Sequence, residues 1–164
     1  MGARVESLLT ETVPQAGAVS SFPKIGKWTV TAMPAGWIYI AGFGIKQMVA
    51  TPGTVAASVG VGEDKLDDEG ALAEYIEKQM KLIEGRLKEV KCAGPRAVQF
   101  AGADEAHLLF VRHRMESGRN MLHAQTYVRT GWWLGIVTLT TLEEQLGVVR
   151  ADYDSFLKGL RIGA

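Results

Sequence analysis

Residues 107–141 read HLLFVRHRMESGRNMLHAQTYVRTGWWLGIVTLTT, and the spacing of their turn formers decides the fold. Three stretches rich in valine, leucine, threonine and aromatic residues, 107–115, 120–129 and 133–141, predict extended chain, because branched and flat side chains pack well on a pleated surface. Ser117-Gly118 and Thr130-Gly131 separate them. Connections that short cannot cross over a sheet, so the three strands run antiparallel as neighbours.

Upstream, Trp28, Val30 and Ala32 alternate with Thr29 and Thr31, and Pro34-Ala35-Gly36 closes that strand as a turn. Residues 37–40 restart extended chain, with Gly42 and Gly44 close behind, and 54–61 form another β-like run. Leu72, Ile76, Met80, Ile83, Leu87 and Val90 then recur at helical spacing behind the acidic residues Asp67, Asp68 and Glu69. Lys88 and Lys91 precede the stop Gly94-Pro95, so the pattern predicts a helix over 70–91. A second helix runs from 143 or 148 to 160. Strands grouped before and after a helix, without βαβ alternation, give an α+β fold: an antiparallel sheet of about six strands with two main helices. Residues 1–26 read as a weakly ordered lead broken by Pro14, Gly17 and Pro23, and 27–164 as one domain.

Composition narrows the function. Eighteen basic and eighteen acidic residues give zero net charge, which removes the electrostatic footprint of a nucleic-acid binder. A single cysteine cannot close an internal disulfide. The first ten residues show no signal peptide and no stretch reaches about 18 apolar residues, so a cytoplasmic protein that does not insert into membranes is expected.

No motif announces a cofactor, a metal or a catalytic group. The glycines at 42, 44, 60 and 62 form no phosphate-cradling loop; their spacing of two suits strands whose backbones are closely approached. Glu63-Asp64 and the acids at 67–69 read as a solvated helix entrance. Cys92, at the C-terminal end of the expected helix, is badly placed for a nucleophile. His113 and His123 depend on the 115–120 turn. An even number of loop residues pairs His113 with Leu122 and puts the two rings on opposite faces, whereas an odd number brings them together.

In the even register one hairpin face is apolar, with Leu109, Val111, Leu122, Ala124 and Val128. The other mixes Leu108, Phe110, Arg112 and Arg114 with Met121, His123, Gln125 and Tyr127. A mixed face of that kind suits a surface covered by a partner for part of its life.

Several stretches resemble the DcrB-related family, whose fold is PsbP-like, and within it the effector-associated (Eag) chaperones of bacterial type VI secretion. They are Met33-Pro34-Ala35-Gly36-Trp37, residues 72–79 (LAEYIEKQ), residues 116–125 (ESGRNMLHAQ) and residues 136–141 (IVTLTT). The resemblance implies a curved PsbP-like sheet and a homodimer. It also implies a cytoplasmic chaperone that shields the hydrophobic N-terminal transmembrane region of a PAAR- or Rhs-type effector before export, with no cofactor. The family's groove positions fall on Gln79, Ile83, Leu87, Met121 and Gln125. The family's groove also has large aliphatics on the second strand; here Gly42 and Gly44 stand near those positions, with Ile40 and Ile45 adjacent, so the groove floor departs from that pattern. Phe110 and Tyr127 join the candidate groove from the mixed hairpin face. A small-ligand-binding domain or an accessory structural subunit of the same fold is the alternative.

Overall fold

Trp28 packs edge-on against Trp133 at 5.4 Å and against Phe100 at 5.7 Å, and its indole N–H donates to the Gly62 carbonyl at 2.9 Å. Those contacts tie four distant parts of the chain into one core. The computed structural model describes residues 24–48, 52–67 and 72–163. Most of the expected lead lies outside the described residues, but Ile25 is buried in this core.

The described elements run β1 (Trp28–Val30), β2 (Trp37–Ile40), β3 (Gly44–Gln47), β4 (Ser58–Lys65), α1 (Leu72–Arg86), β5 (Lys91–Ala97), β6 (Glu105–Arg114), β7 (Asn120–Thr130) and β8 (Trp133–Leu142). A 3-10 turn, Glu143–Gln145, then leads into α2 (Leu146–Gly159) and β9 (Leu160–Ile162). The main sheet has seven strands rather than six, in the order β2-β3-β4-β8-β7-β6-β5, all neighbours antiparallel. β1 and β9 form a separate pair. The fold is α+β, as the grouping of strands and helices required.

Helices cover both faces of the sheet. Leu72 and Ile76 of α1 pack on Leu109, Val111, Tyr127 and Leu134. On the opposite face, Val149 and Phe156 of α2 pack with Val59, Ala124, Val137 and Leu139, together with Trp28 and Val30 of β1. At Gly44 the strands nearly touch: a Cβ there would strike the Val59 carbonyl, and the residue sits at φ +148°. Only glycine fits, as its spacing in the sequence suggested.

Three expectations are corrected. α1 stops at Arg86, and Leu87 lies in the bend beyond it although its N–H still reaches the Ile83 carbonyl at 3.0 Å. The chain instead reverses through Glu89 so that Lys91, Cys92 and Ala93 pair with Arg112, Val111 and Phe110. Gly94-Pro95 is therefore a break in the register of an edge strand, where a missing N–H costs no ladder bond, and not a helix stop. Glu63 and Asp64 lie within β4 rather than at a helix entrance: Glu63 accepts from the Trp133 indole at 2.7 Å and from the Lys27 amide at 3.2 Å, and Asp64 accepts from the Tyr75 hydroxyl at 2.8 Å.

Candidate functional site

The turn after β6 holds an odd number of residues, Met115 to Arg119, closed by Met115 N–H to Arg119 O at 2.9 Å and Gly118 N–H to Met115 O at 2.9 Å. His113 consequently pairs with Met121, Val111 with His123, Leu109 with Gln125 and His107 with Tyr127. Directly opposed residues share a face. Met121, His123, Gln125 and Tyr127 therefore lie with Leu109, Val111 and His113, on the side that α1 covers. Phe110 pairs with Ala124 and points to the other side, so it is not a neighbour of the candidate groove. The two histidines come together: their rings stack 7° from parallel and the Nε2 atoms stand 3.1 Å apart.

Following the pairing across the sheet builds the site. Gln125 opposes Thr138, Thr138 opposes Gly60, Gly60 opposes Gly44, and Gly44 opposes Ile40. Ile40 and Gln125 thus stand in one row on one face, four strand spacings apart, or roughly 19 Å. Between them the row carries two glycines and a threonine. The next rows add Gly62 and Ile136 on one side and Ser58 and Thr140 on the other. Thin residues flanked by taller ones make a trough. A depression of 440 Å³ opens along its floor, lined by Gly60, Gly62, Ile136, Thr138, Thr140 and Phe43. The Phe43 ring leans over Gly60 and remains 41% exposed.

Along the far wall, Met121 and Gln125 are half-buried, open enough to be touched from outside. Tyr127 is not: it is only 2% exposed, packs edge-on against Tyr75 at 6.2 Å, and burial pushes its hydroxyl up to about 12. That hydroxyl donates to the Gln125 Oε1, so Tyr127 holds Gln125 in place rather than forming surface. From α1, Gln79 and Ile83 are half-buried one turn apart, with Ile83 packed on the cluster beneath the helix. Leu87 is half-buried in the bend past the helix. The structure therefore gathers Met121, Gln125 and Ile40 on one face with Gln79 and Ile83 on the helix above it, and separates Phe110 from them.

His123 and Cys92 are both held in their neutral forms. Burial, and then the neighbouring His113, lower the His123 pKa to about 4, while its Nδ1 lies 3.1 Å from the Thr140 hydroxyl. Burial and the nearby Glu84 raise the Cys92 thiol, which keeps it protonated. Phe43, Ile136, Thr138 and Thr140 are part of the trough that the sequence reading passed over. The alternation of Ile136, Thr138 and Thr140 along β8 was the available signal. It gains meaning only once β4 is known to lie beside β8.

Among the described residues, no helix is long and apolar enough to cross a membrane. No protein-family model matches the chain, and no curated protein matches it. Solved structures do. LpqN, involved in cell envelope biogenesis of Mycobacterium tuberculosis, is 15% identical with a TM-score of 0.62, over 98% of this chain and 97% of its own. Pseudomonas aeruginosa PA94, a protein of unknown function described as a putative regulator, is 23% identical with a TM-score of 0.57, over 67% of this chain and 74% of its own. The cyanobacterial PsbP (CyanoP) of Synechocystis sp. PCC 6803 is 13% identical with a TM-score of 0.54, over 90% of this chain and 96% of its own. At such identities the shared property is architecture, and the chain carries a PsbP-like α+β fold.

Proposed function

We propose that this chain is a cytoplasmic, homodimeric chaperone of the effector-associated kind, DcrB-related in family, which covers the hydrophobic N-terminal segment of a type VI secretion effector until export. The observation that carries the reading is the open trough between Ile40 and Gln125, floored by Gly44, Gly60 and Thr138. Its span of roughly 19 Å exceeds the 10–12 Å diameter of an α-helix with side chains, so a helical guest fits between its walls once the exposed Phe43 ring over Gly60 swings aside. Glycine and threonine let a guest backbone come close to the sheet, as small residues do between packed helices. Met121 supplies an adaptable apolar contact, and Gln125, Thr138 and Thr140 supply hydrogen-bonding groups.

The mechanism needs no bond-making. Each 100 Å² of guest surface covered is worth about 2.5 kcal/mol, and a large share is offset by the cost of association and ordering. The net affinity stays moderate, which suits a guest that must later be released.

Co-expression with the effector encoded beside this gene tests the proposal. The effector's apolar N-terminus should become soluble and co-purify. Gln125→Leu and Thr138→Arg should each cut recovery at least tenfold while leaving the thermal transition within a few degrees. Undiminished recovery with both variants places the guest elsewhere; no change in effector solubility with the wild type ends the chaperone reading.

A further inference from the structure

The sheet's other face holds a second cavity, away from the trough. α2 is anchored there by Val149 and Phe156, both buried, while Leu146, Arg150, Tyr153, Asp154, Leu157 and Lys158 recur at helical spacing on an adjoining side. Between that side and strands β6 and β7 lies a cavity of 540 Å³. Its walls are Phe100, Leu108 and Phe110 from the sheet side and Leu146 and Leu157 from the helix, each only half-buried. At its base the Thr126 and Tyr153 hydroxyls, both buried, lie 3.2 Å apart and satisfy each other.

The rim is charged and lopsided. Arg150, Lys158 and Arg161 line it with one acid, Asp154, in a chain whose net charge is zero. Arg161 donates to the Leu160 carbonyl at 3.0 Å. The exposed side chains of Arg150 and Lys158 make no hydrogen bond or ion pair among the described residues. The volume falls in the roughly 300–1,000 Å³ range of small-molecule pockets. Apolar walls ending at free cations call for a molecule with an apolar body and an acidic head, and Asp154 disfavours a doubly charged one.

We infer that this cleft binds a single-chain, singly charged anionic amphiphile of the fatty-acid class, its chain among Leu108, Phe110 and Leu157 and its carboxylate toward Arg150 and Lys158. The inference is independent of the chaperone reading, which concerns the opposite face.

Titration of the full chain with 11-(dansylamino)undecanoic acid tests it. Saturable binding is expected, with displacement by dodecanoate at least tenfold more effective than by dodecan-1-ol. The double charge reversal Arg150→Glu/Lys158→Glu should weaken probe binding at least tenfold, and Leu157→Trp, which fills the cleft, should abolish it, with circular dichroism melts verifying the fold of each. Absence of saturable binding, equal displacement by acid and alcohol, or full binding by both variants overturns the inference. So does the sedimentation result in which the charge reversal converts a dimer to a monomer and the probe binds neither protein, for the cleft is then an interface between copies.

Discussion

His123 lies between Thr140 and the stacked ring of His113, and the lowering of its pKa from 6.5 to about 4 gives the fold an acid-sensitive point. Folded, the ring stays neutral; unfolded, it takes up a proton near its ordinary value. Its contribution is therefore complete above about pH 6.5 and is lost as the pH falls toward 4, by at most about 1.4 kcal/mol per pH unit for one proton. Urea midpoints measured at pH 7, 5.5 and 4.5 should fall in that order, and His123→Gln should flatten the trend relative to the wild type. A second residue tests packing. A Cβ on Gly135 would sit 2.9 Å from Trp28 Cε2 and nearer still to both the Trp28 Cζ2 and the Trp133 ring. Gly135→Ala is expected to cost on the order of 1–3 kcal/mol by overpacking, read as a lower urea midpoint at unchanged slope.

The reversal from α1 into β5 is settled by one strained residue. Glu89 adopts φ 51° in a region that side chains avoid, and the Lys88 carbonyl beside it accepts from the Arg114 N–H at 3.1 Å. Glu89→Gly relieves that strain and gives up only an exposed ion pair with Arg114 at 3.6 Å, so thermal denaturation should show a gain of about 0.5–1 kcal/mol. The sequence showed the existence of α1, because its apolar spacing reflects a buried stripe that any fold would need. It hid the helix end, since Leu87 and Val90 continue the same spacing while the chain has already turned. It also hid β5, an edge strand whose residues are almost all exposed and keep no alternation. Turn parity was equally illegible: Ser117-Gly118 marks a reversal but does not reveal that Met115 and Arg119 both belong to the loop.

At the scale of the molecule, one sheet serves two cores and presents two unlike concavities. Each follows from pairings between segments far apart in the chain. Ile40 and Gln125 meet in one row only because β4 joins β8, a pairing that no local pattern announces. Met121 and Gln125 were legible as partly open surface, since they share an alternating face with His123 and glutamine is a poor core residue. Phe110 was misplaced by one step of register, and one step exchanges the faces. The Tyr127 hydroxyl was legible to nobody counting polar groups, because it is turned inward onto Gln125.

That inward bond has a consequence for recognition. With one lone pair of its oxygen engaged by Tyr127, the Gln125 side chain keeps two amide hydrogens and a single further lone pair for other partners. A passing segment must bring an oxygen to meet those hydrogens, or leave them stranded at a penalty of about 1–3 kcal/mol. A smooth aliphatic helix, its carbonyls all turned inward, offers none there, whereas one interrupted by serine, threonine or an unwound turn does. Between two equally greasy sequences the irregular one is preferred, and that preference originates in a phenol that never touches it.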